Sequence, residues 1–434
     1  MTPADCVRVP RLLLPTASVD VHRWAVIACD QFTSQPEYWA QVEEVVGDAP
    51  STLRMVLPEL FLGEPDVAQR VHACQAAMHD YLGRGLLEPH EAIVHVERTH
   101  SGGVQRGLLV EVDLEAYDYT STALTPVRAT EGTVLDRLPP RMAVRRDAPL
   151  ELPHIMVLYD DPDGTVLAPL DAVLGDLPVA YDVDLMLGSG HVSGRLVEDA
   201  DVQRAILDAL GALVEPEAYR ARYGLDADHP LLFAMGDGNH SLATAKAIWN
   251  EHRAAGASPD HPARWALVEL VNLHDASLAF EPIHRVVFDG AAAADDLISA
   301  LEAGAHPVGS LQEALDAVAS GPADGVQRVG VVQASGVRVV EIPHPTHELA
   351  VGTLQAFLDR WLSAHPDAEV DYVHGEDVTA ELGARDGNVG FLVPGIGKDA
   401  FFRSIAVDGP MPRKTFSMGH AHDKRFYLEA RAIR

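Results

Sequence analysis

The stretch PLLFAMGDGNHSLATAKAIWNEH, Pro230 to His252, decides how this chain is read. Its apolar run Leu231 to Met235 has the length of a strand buried on both faces, and Leu242, Ala245, Ile248 and Trp249 follow at helical spacing. Gly236 to Ser241 therefore reads as a strand-to-helix junction. Backbone N–H groups at a helix start, with the positive end of the helix dipole, form an anion site, and glycines let a ligand approach the backbone. Phosphate is the expected guest. The competing reading is structural: Asp237 or Asn239 caps the helix and the glycines turn the chain.

Outward from the junction, strands and helices alternate, which favours an α/β class with mixed sheets. Towards the N-terminus, Glu37 to Val46 and Asp66 to Leu82 have helical patterns, and Ala92 to Glu97 and Gly107 to Asp113 alternate like paired strands across the turn at His100 to Gly103. Val127 to Gly164 is dense in proline and charge before a strand at Ile155 to Tyr159, the character of a site-building or linking loop. Tyr181 to His191 carries a glycine turn, and Asp201 to Val214 reads as a helix. Towards the C-terminus, Val329 to Val332 and Arg338 to Ile342 suggest a hairpin, Leu349 to Ser363 a helix and Gly390 to Val393 a strand. The expected division falls near Gly290. Residues 1–290 then form the ligand-binding region, and 291–434 a C-terminal α/β region whose tail folds back on the site.

A length of 434 residues implies two or three domains. With 33 Lys and Arg against 64 Asp and Glu, the formal net charge is −31, which repels nucleic acid phosphates at long range. No apolar run reaches the roughly 20 residues that span a bilayer. The N-terminal Leu12 to Leu14 patch is broken by Pro10 and Pro15, unlike a signal peptide. Three scattered cysteines fit a reducing cytoplasm rather than a disulfide framework. The expected partner is thus a small molecule, with neither nucleic acid nor membrane, in the cytoplasm. Cations cluster at Arg128, Arg137, Arg141, Arg145 and Arg146, and again at Arg413, Lys414, Lys424 and Arg425, which suggests a local anion pocket in an acidic protein.

At RATEGTVLDRLPP, GDGNHSLATAKA and MPRKTFSMGHAHDKRFYLEARAI the chain resembles the bacterial family catalogued as domain of unknown function 1015, and WAVIACDQFTSQPEYW and ELPHIMVLYDD match it as well. Many of its members carry Asp-Gly-His-His-Arg where this chain has Asp237 to Ser241, so an arginine-to-phosphate contact at Ser241 is missing here. That string is similar to one in the free-serine kinases of the ParB/sulfiredoxin-like superfamily. The resemblance implies a nucleotide-binding core, phosphates held where the turn meets the helix, and an acidic residue that deprotonates a substrate hydroxyl.

These lines lead to a magnesium-dependent phosphotransferase acting on a small hydroxylated metabolite such as free serine, with ATP, ADP or pyrophosphate as donor. Phosphoryl transfer needs a cradle, a cation with its carboxylate, and a base. Gly236, Gly238, Asn239 and Ser241 supply the cradle, and His240 donates to a phosphoryl oxygen. Asp237 is the magnesium ligand, since that ion takes one or two carboxylates plus phosphate oxygens. Glu131 is the base, with Glu269 second. Arg128 and Arg137 clamp the donor, and Lys414 reaches the pocket from the tail. Each has a plainer alternative: an ion pair for Glu131, a solvated tail for Lys414. Two rival functions remain, a hydrolase of phosphate or pyrophosphate compounds and a non-catalytic nucleotide or metabolite sensor. Two other centres are weighed. His154, His191, His240, His274 and His284 lie near acidic residues, as in a two-metal hydrolase, but match no compact ligand motif; Cys29 is a possible nucleophile, though its neighbourhood suits a packed thiol.

Overall fold

The computed structural model describes residues 3–100, 102–320, 325–419 and 421–434. They form two compact units. The first runs to Leu278 and includes the terminal Gly419–Arg434, and the second is Ala279–Met418. Each is a mixed α/β assembly with its own sheet and core.

In the first unit, the described residues build a ten-stranded sheet. The hairpins Val179–Asp184 with His191–Val197 and Ile93–His100 with Gly103–Asp113 form one flank, joined antiparallel. Trp265–Asn272 follows, antiparallel to Gly103–Asp113 and parallel to Met156–Tyr159. Met156–Tyr159 then pairs antiparallel with Phe233–Asp237, with a bulge between Met156 and Val157. The strand Phe233–Asp237 continues in parallel to Val127–Arg128. Trp265–Asn272 is almost wholly buried, so its sequence is a continuous apolar run interrupted by Glu269 rather than an alternation.

The terminal residues stitch this unit together. Phe426–Tyr427 pairs with Val26–Ile27, Arg431–Ala432 pairs with Leu150–Glu151, and Ala430 bridges Leu13. Trp24, Ile27, Phe426, Leu428 and Ile433 share one hydrophobic cluster.

The second unit holds an antiparallel seven-stranded sheet among the described residues. Gln327–Gln333 and Gly336–Ile342 form its hairpin, and Phe280–Phe288 lies between Val389–Leu392 and Glu369–His374. The helix Ala350–Ala364 buries Leu354, Phe357, Leu358 and Trp361 against Val329, Val331 and Phe391 in one cluster. Part of the alanine-rich stretch after Gly290, 321–324, lies outside the described residues.

Among the described residues, no helix is long and apolar enough to cross a membrane.

Candidate functional site

The junction is tighter than its sequence suggests. The strand runs Phe233–Asp237 and the helix Asn239–Ala254, so a single residue, Gly238, makes the turn. Gly236 and Asp237 belong to the strand because Asp237 pairs with Met156. Leu231 and Leu232 precede the strand, with the Leu232 amide on the Pro126 carbonyl at 2.9 Å. Gly238 is left-handed, at φ 75° and ψ 27°, and a Cβ there would lie 3.0 Å from Ile155 Cα. Glycine alone turns the chain this sharply without strain.

The Asp237 carboxylate sits at the mouth of the turn. Its Oδ1 accepts from the Gly238 amide at 2.8 Å, and its Oδ2 lies 3.0 Å from Lys424 Nζ. Burial raises the Asp237 pKa, but Lys424, the Gly238 amide and His154 outweigh it and hold the carboxyl below its usual range. The lysine that meets Asp237 is therefore Lys424. Lys414, expected to reach the anion pocket, is an exposed residue of the second unit, in a left-handed turn ahead of Phe416–Met418.

The loop bearing Glu131 is tied to the same turn. Asn239 Nδ2 donates to the Glu131 carbonyl at 3.1 Å and to Thr133 Oγ1 at 3.2 Å, and the Val134 amide donates to His240 Nε2 at 3.3 Å. In that last bond His240 Nε2 accepts from the loop, so the donation to a phosphoryl oxygen expected of His240 falls to Nδ1. Ser241 Oγ lies 2.9 Å from His154 Nε2, and His154 Nδ1 lies 2.8 Å from the Tyr427 hydroxyl, which also accepts from the Cys29 amide at 3.1 Å. Burial, with Cys29 and Asp30 beside it, raises the Tyr427 phenol well above its ordinary value, so the hydroxyl keeps its proton.

Arg128 is not an anion clamp. It is 3% exposed, and its guanidinium donates to the Thr125 carbonyl at 2.8 Å and the His229 carbonyl at 2.6 Å, fixing the entry to the site strand. Arg137 is exposed, and its carbonyl accepts from Arg141 Nη1 at 2.7 Å. The other cations of that cluster meet carboxylates: Arg141 on Glu59, Arg145 on Glu151, Arg146 on Glu251. Glu269, the second choice of base, is 1% exposed between Arg98, at 2.8 Å, and Arg425. Burial raises its pKa, but the two arginines prevail and keep it ionised. Gly107 leaves it room, since a Cβ there would collide with the Glu269 carboxylate. It is a structural ion pair.

The histidines go to separate partners. His191 pairs with Asp182 and Asp184, and His274 with Asp160 at 2.7 Å, while in the second unit His284 Nδ1 accepts from the Val393 amide. Burial, then the Asp30 charge, raises the Cys29 thiol pKa, which keeps it out of the thiolate form a nucleophile needs. No group of three His, Cys, Asp or Glu side chains able to hold a metal occurs among the described residues. Asp237 does not fit a resident magnesium either, since one oxygen is held by a lysine ammonium and the other by a backbone amide. The sequence reading placed Lys424 in a cationic cluster and weighed His154 only for metal chemistry, and it passed over Tyr427. For Tyr427 the available signal was the spacing of Arg425, Tyr427, Glu429 and Arg431, polar groups at every second position of an extended tail.

The chain belongs to the family described as protein of unknown function (DUF1015), which matches residues 13–361. No curated protein matches it. Among solved structures it is similar to a mutant free serine kinase in complex with AMP, with TM-score 0.39 and 9% identity over 74% of this chain and 90% of that one. A mutant free serine kinase in complex with ADP gives TM-score 0.38 and 10% identity, over 74% and 91% of the two chains. A conserved hypothetical protein from Pyrococcus furiosus gives TM-score 0.35 and 9% identity, over 73% and 93%. Likenesses this distant carry nothing about the chemistry of this chain.

Proposed function

We propose that this member of the DUF1015 family is a phosphotransferase that binds a polyphosphate donor at the Gly238 turn and acts on a small hydroxylated metabolite. The supporting observation is the meeting of Lys424 with Asp237 at the first turn of the helix Asn239–Ala254, under a loop whose Glu131 carbonyl is bonded to that same turn. The Gly238 amide is held by Asp237 and the Ser241 amide by the Gly238 carbonyl, so the Asn239 amide, at the first helical position and the positive end of the dipole, joins the lysine in a site for phosphoryl oxygens. ATP, ADP and pyrophosphate all offer that group. Magnesium enters only as an ion carried on the donor's phosphates, because Lys424 already supplies the cation at Asp237.

Glu131 serves as the base. The acceptor oxygen attacks the terminal phosphorus, its proton passes to the Glu131 carboxylate, and the bridging P–O bond breaks as the donor's remainder leaves. Phosphorus NMR of the purified protein with each donor and pooled hydroxy metabolites tests the reaction. A phosphorylated acceptor is expected, and Glu131→Gln should lower its rate by roughly 10²-fold, the scale for losing a positioned base. Free phosphate alone means a hydrolase. Donor binding without turnover means a sensor.

A further inference from the structure

The tail strand Phe426–Tyr427 brings a phenol beside the turn, and the phenol's proton sets the direction of a short hydrogen-bond chain. The Tyr427 hydroxyl accepts from the Cys29 amide at 3.1 Å, and burial keeps it protonated. A buried hydroxyl proton needs an acceptor. His154 Nδ1 stands 2.8 Å away, whereas the Cys29 sulfur, also beside the hydroxyl, accepts only weakly. The proton therefore goes to Nδ1. An imidazole that accepts at one ring nitrogen carries its hydrogen on the other, so His154 Nε2 is a donor, and Ser241 Oγ lies 2.9 Å from it. Asp30 does not compete: its Oδ2 is 4.0 Å from Nε2, beyond hydrogen-bond distance, and its Oδ1 accepts from Gln31 at 3.0 Å.

The bond between His154 and Ser241 lies against the turn. His154 Cδ2, the ring carbon next to Nε2, is 3.5 Å from where a Cβ on Gly238 would stand, and the Ser241 amide donates to the Gly238 carbonyl at 2.9 Å. The same imidazole helps to hold the Asp237 pKa down. Ser241 is partly exposed in the first turn of the helix Asn239–Ala254. A serine hydroxyl with no fixed neighbour rotates between donor and acceptor roles. Here one lone pair of Oγ is taken by His154, which leaves the hydroxyl proton for a ligand.

We propose that Tyr427 and His154 are positioning residues of the donor site, holding the Ser241 hydroxyl as a hydrogen-bond donor to a phosphoryl oxygen. This role rests on the polyphosphate site proposed above, to which it adds a side-chain donor beside Lys424 and the Asn239 amide.

Pyrophosphate calorimetry, with nitrogen-15 NMR of the His154 ring, tests it. The ring is expected as the Nε2–H tautomer before any ligand is added. Ser241→Ala should weaken pyrophosphate by roughly tenfold or more, the scale of one hydrogen bond to a charged group, while Ser241→Thr, which keeps the hydroxyl, should retain binding. Tyr427→Phe should weaken pyrophosphate in the parent but not in the Ser241→Ala background, because its effect passes through that hydroxyl. A purely structural tyrosine would weaken both alike. If Tyr427→Phe does not fold, His154→Leu takes its place in the same cycle. With pyrophosphate bound by the parent, an Nδ1–H tautomer, unchanged affinity in Ser241→Ala, or equal losses in the two backgrounds overturns the positioning role and leaves the donor site standing. No pyrophosphate binding by the parent overturns the donor site, and this role with it.

Discussion

At position 237 a carboxylate meets a lysine that lies 187 residues later in the chain, and in the proposed donor site that ammonium is the cation offered to phosphate. Lys424→Ala should therefore abolish the thermal shift produced by pyrophosphate, with and without magnesium. Its cost to stability should be about 1–3 kcal/mol, since both side chains are largely covered and Asp237 loses a charged partner. A retained shift would place the anion site elsewhere. A second residue governs acid sensitivity. Burial, then Arg106, lowers the His95 pKa from 6.5 to about 4, and His95 Nε2 accepts from Arg106 Nε at 3.3 Å, a bond that requires that nitrogen unprotonated. The unfolded chain takes up a proton below 6.5, while the folded chain resists until about 4. Stability from this group is thus complete above the unfolded pKa and is lost as pH falls across that window, by up to ~3 kcal/mol. Denaturant titrations of His95→Gln from pH 7 to 4 should show a flatter decline than the parent.

The strand-turn-helix element works because its turn is one residue long. With Gly238 alone between Asp237 and Asn239, the acidic side chain folds onto the next amide while the helix presents Asn239 and His240 to the loop at Glu131 to Val134. Gly238→Ala forces a Cβ to 3.0 Å from Ile155 Cα in a left-handed backbone. The expected loss is about 2 kcal/mol. Because the turn would shift, pyrophosphate affinity should fall even in the fraction that remains folded, and calorimetry on folded protein reads that directly. Gly236→Ala, in the strand and in ordinary backbone, should disturb binding less.

Across the first unit as a whole, the terminal segment acts as a clasp rather than a tail. Arg425 donates to Glu269, to Glu429 at 2.5 Å and to the Pro153 carbonyl at 2.9 Å, all in a buried setting. Arg425→Ala leaves two buried carboxylates short of a partner, which should cost about 3–5 kcal/mol in denaturant titration. A loss under 1 kcal/mol would mean that water reaches the network. Truncation before Gly419 removes Lys424, Arg425, Tyr427 and Arg431 together, so its inactivity would report lost folding and not the loss of one contact.

The sequence by itself determined the mixed α/β class, the helices Pro36–Val46 and Val67–Gly83, the hairpin Ile93–His100 with Gly103–Asp113, and the presence of a glycine turn between strand and helix. These follow from local periodicity and from backbone rules acting over a few residues. The tertiary structure alone decided which charges meet. Glu269 and Glu131 are both carboxylates near arginines in the sequence or the fold, yet one is 1% exposed between Arg98 and Arg425 while the other's loop is bonded to the turn. Lys424 reaches Asp237 for the same reason: partners more than 150 residues apart are chosen by sheet pairing and burial, and no local pattern encodes that choice.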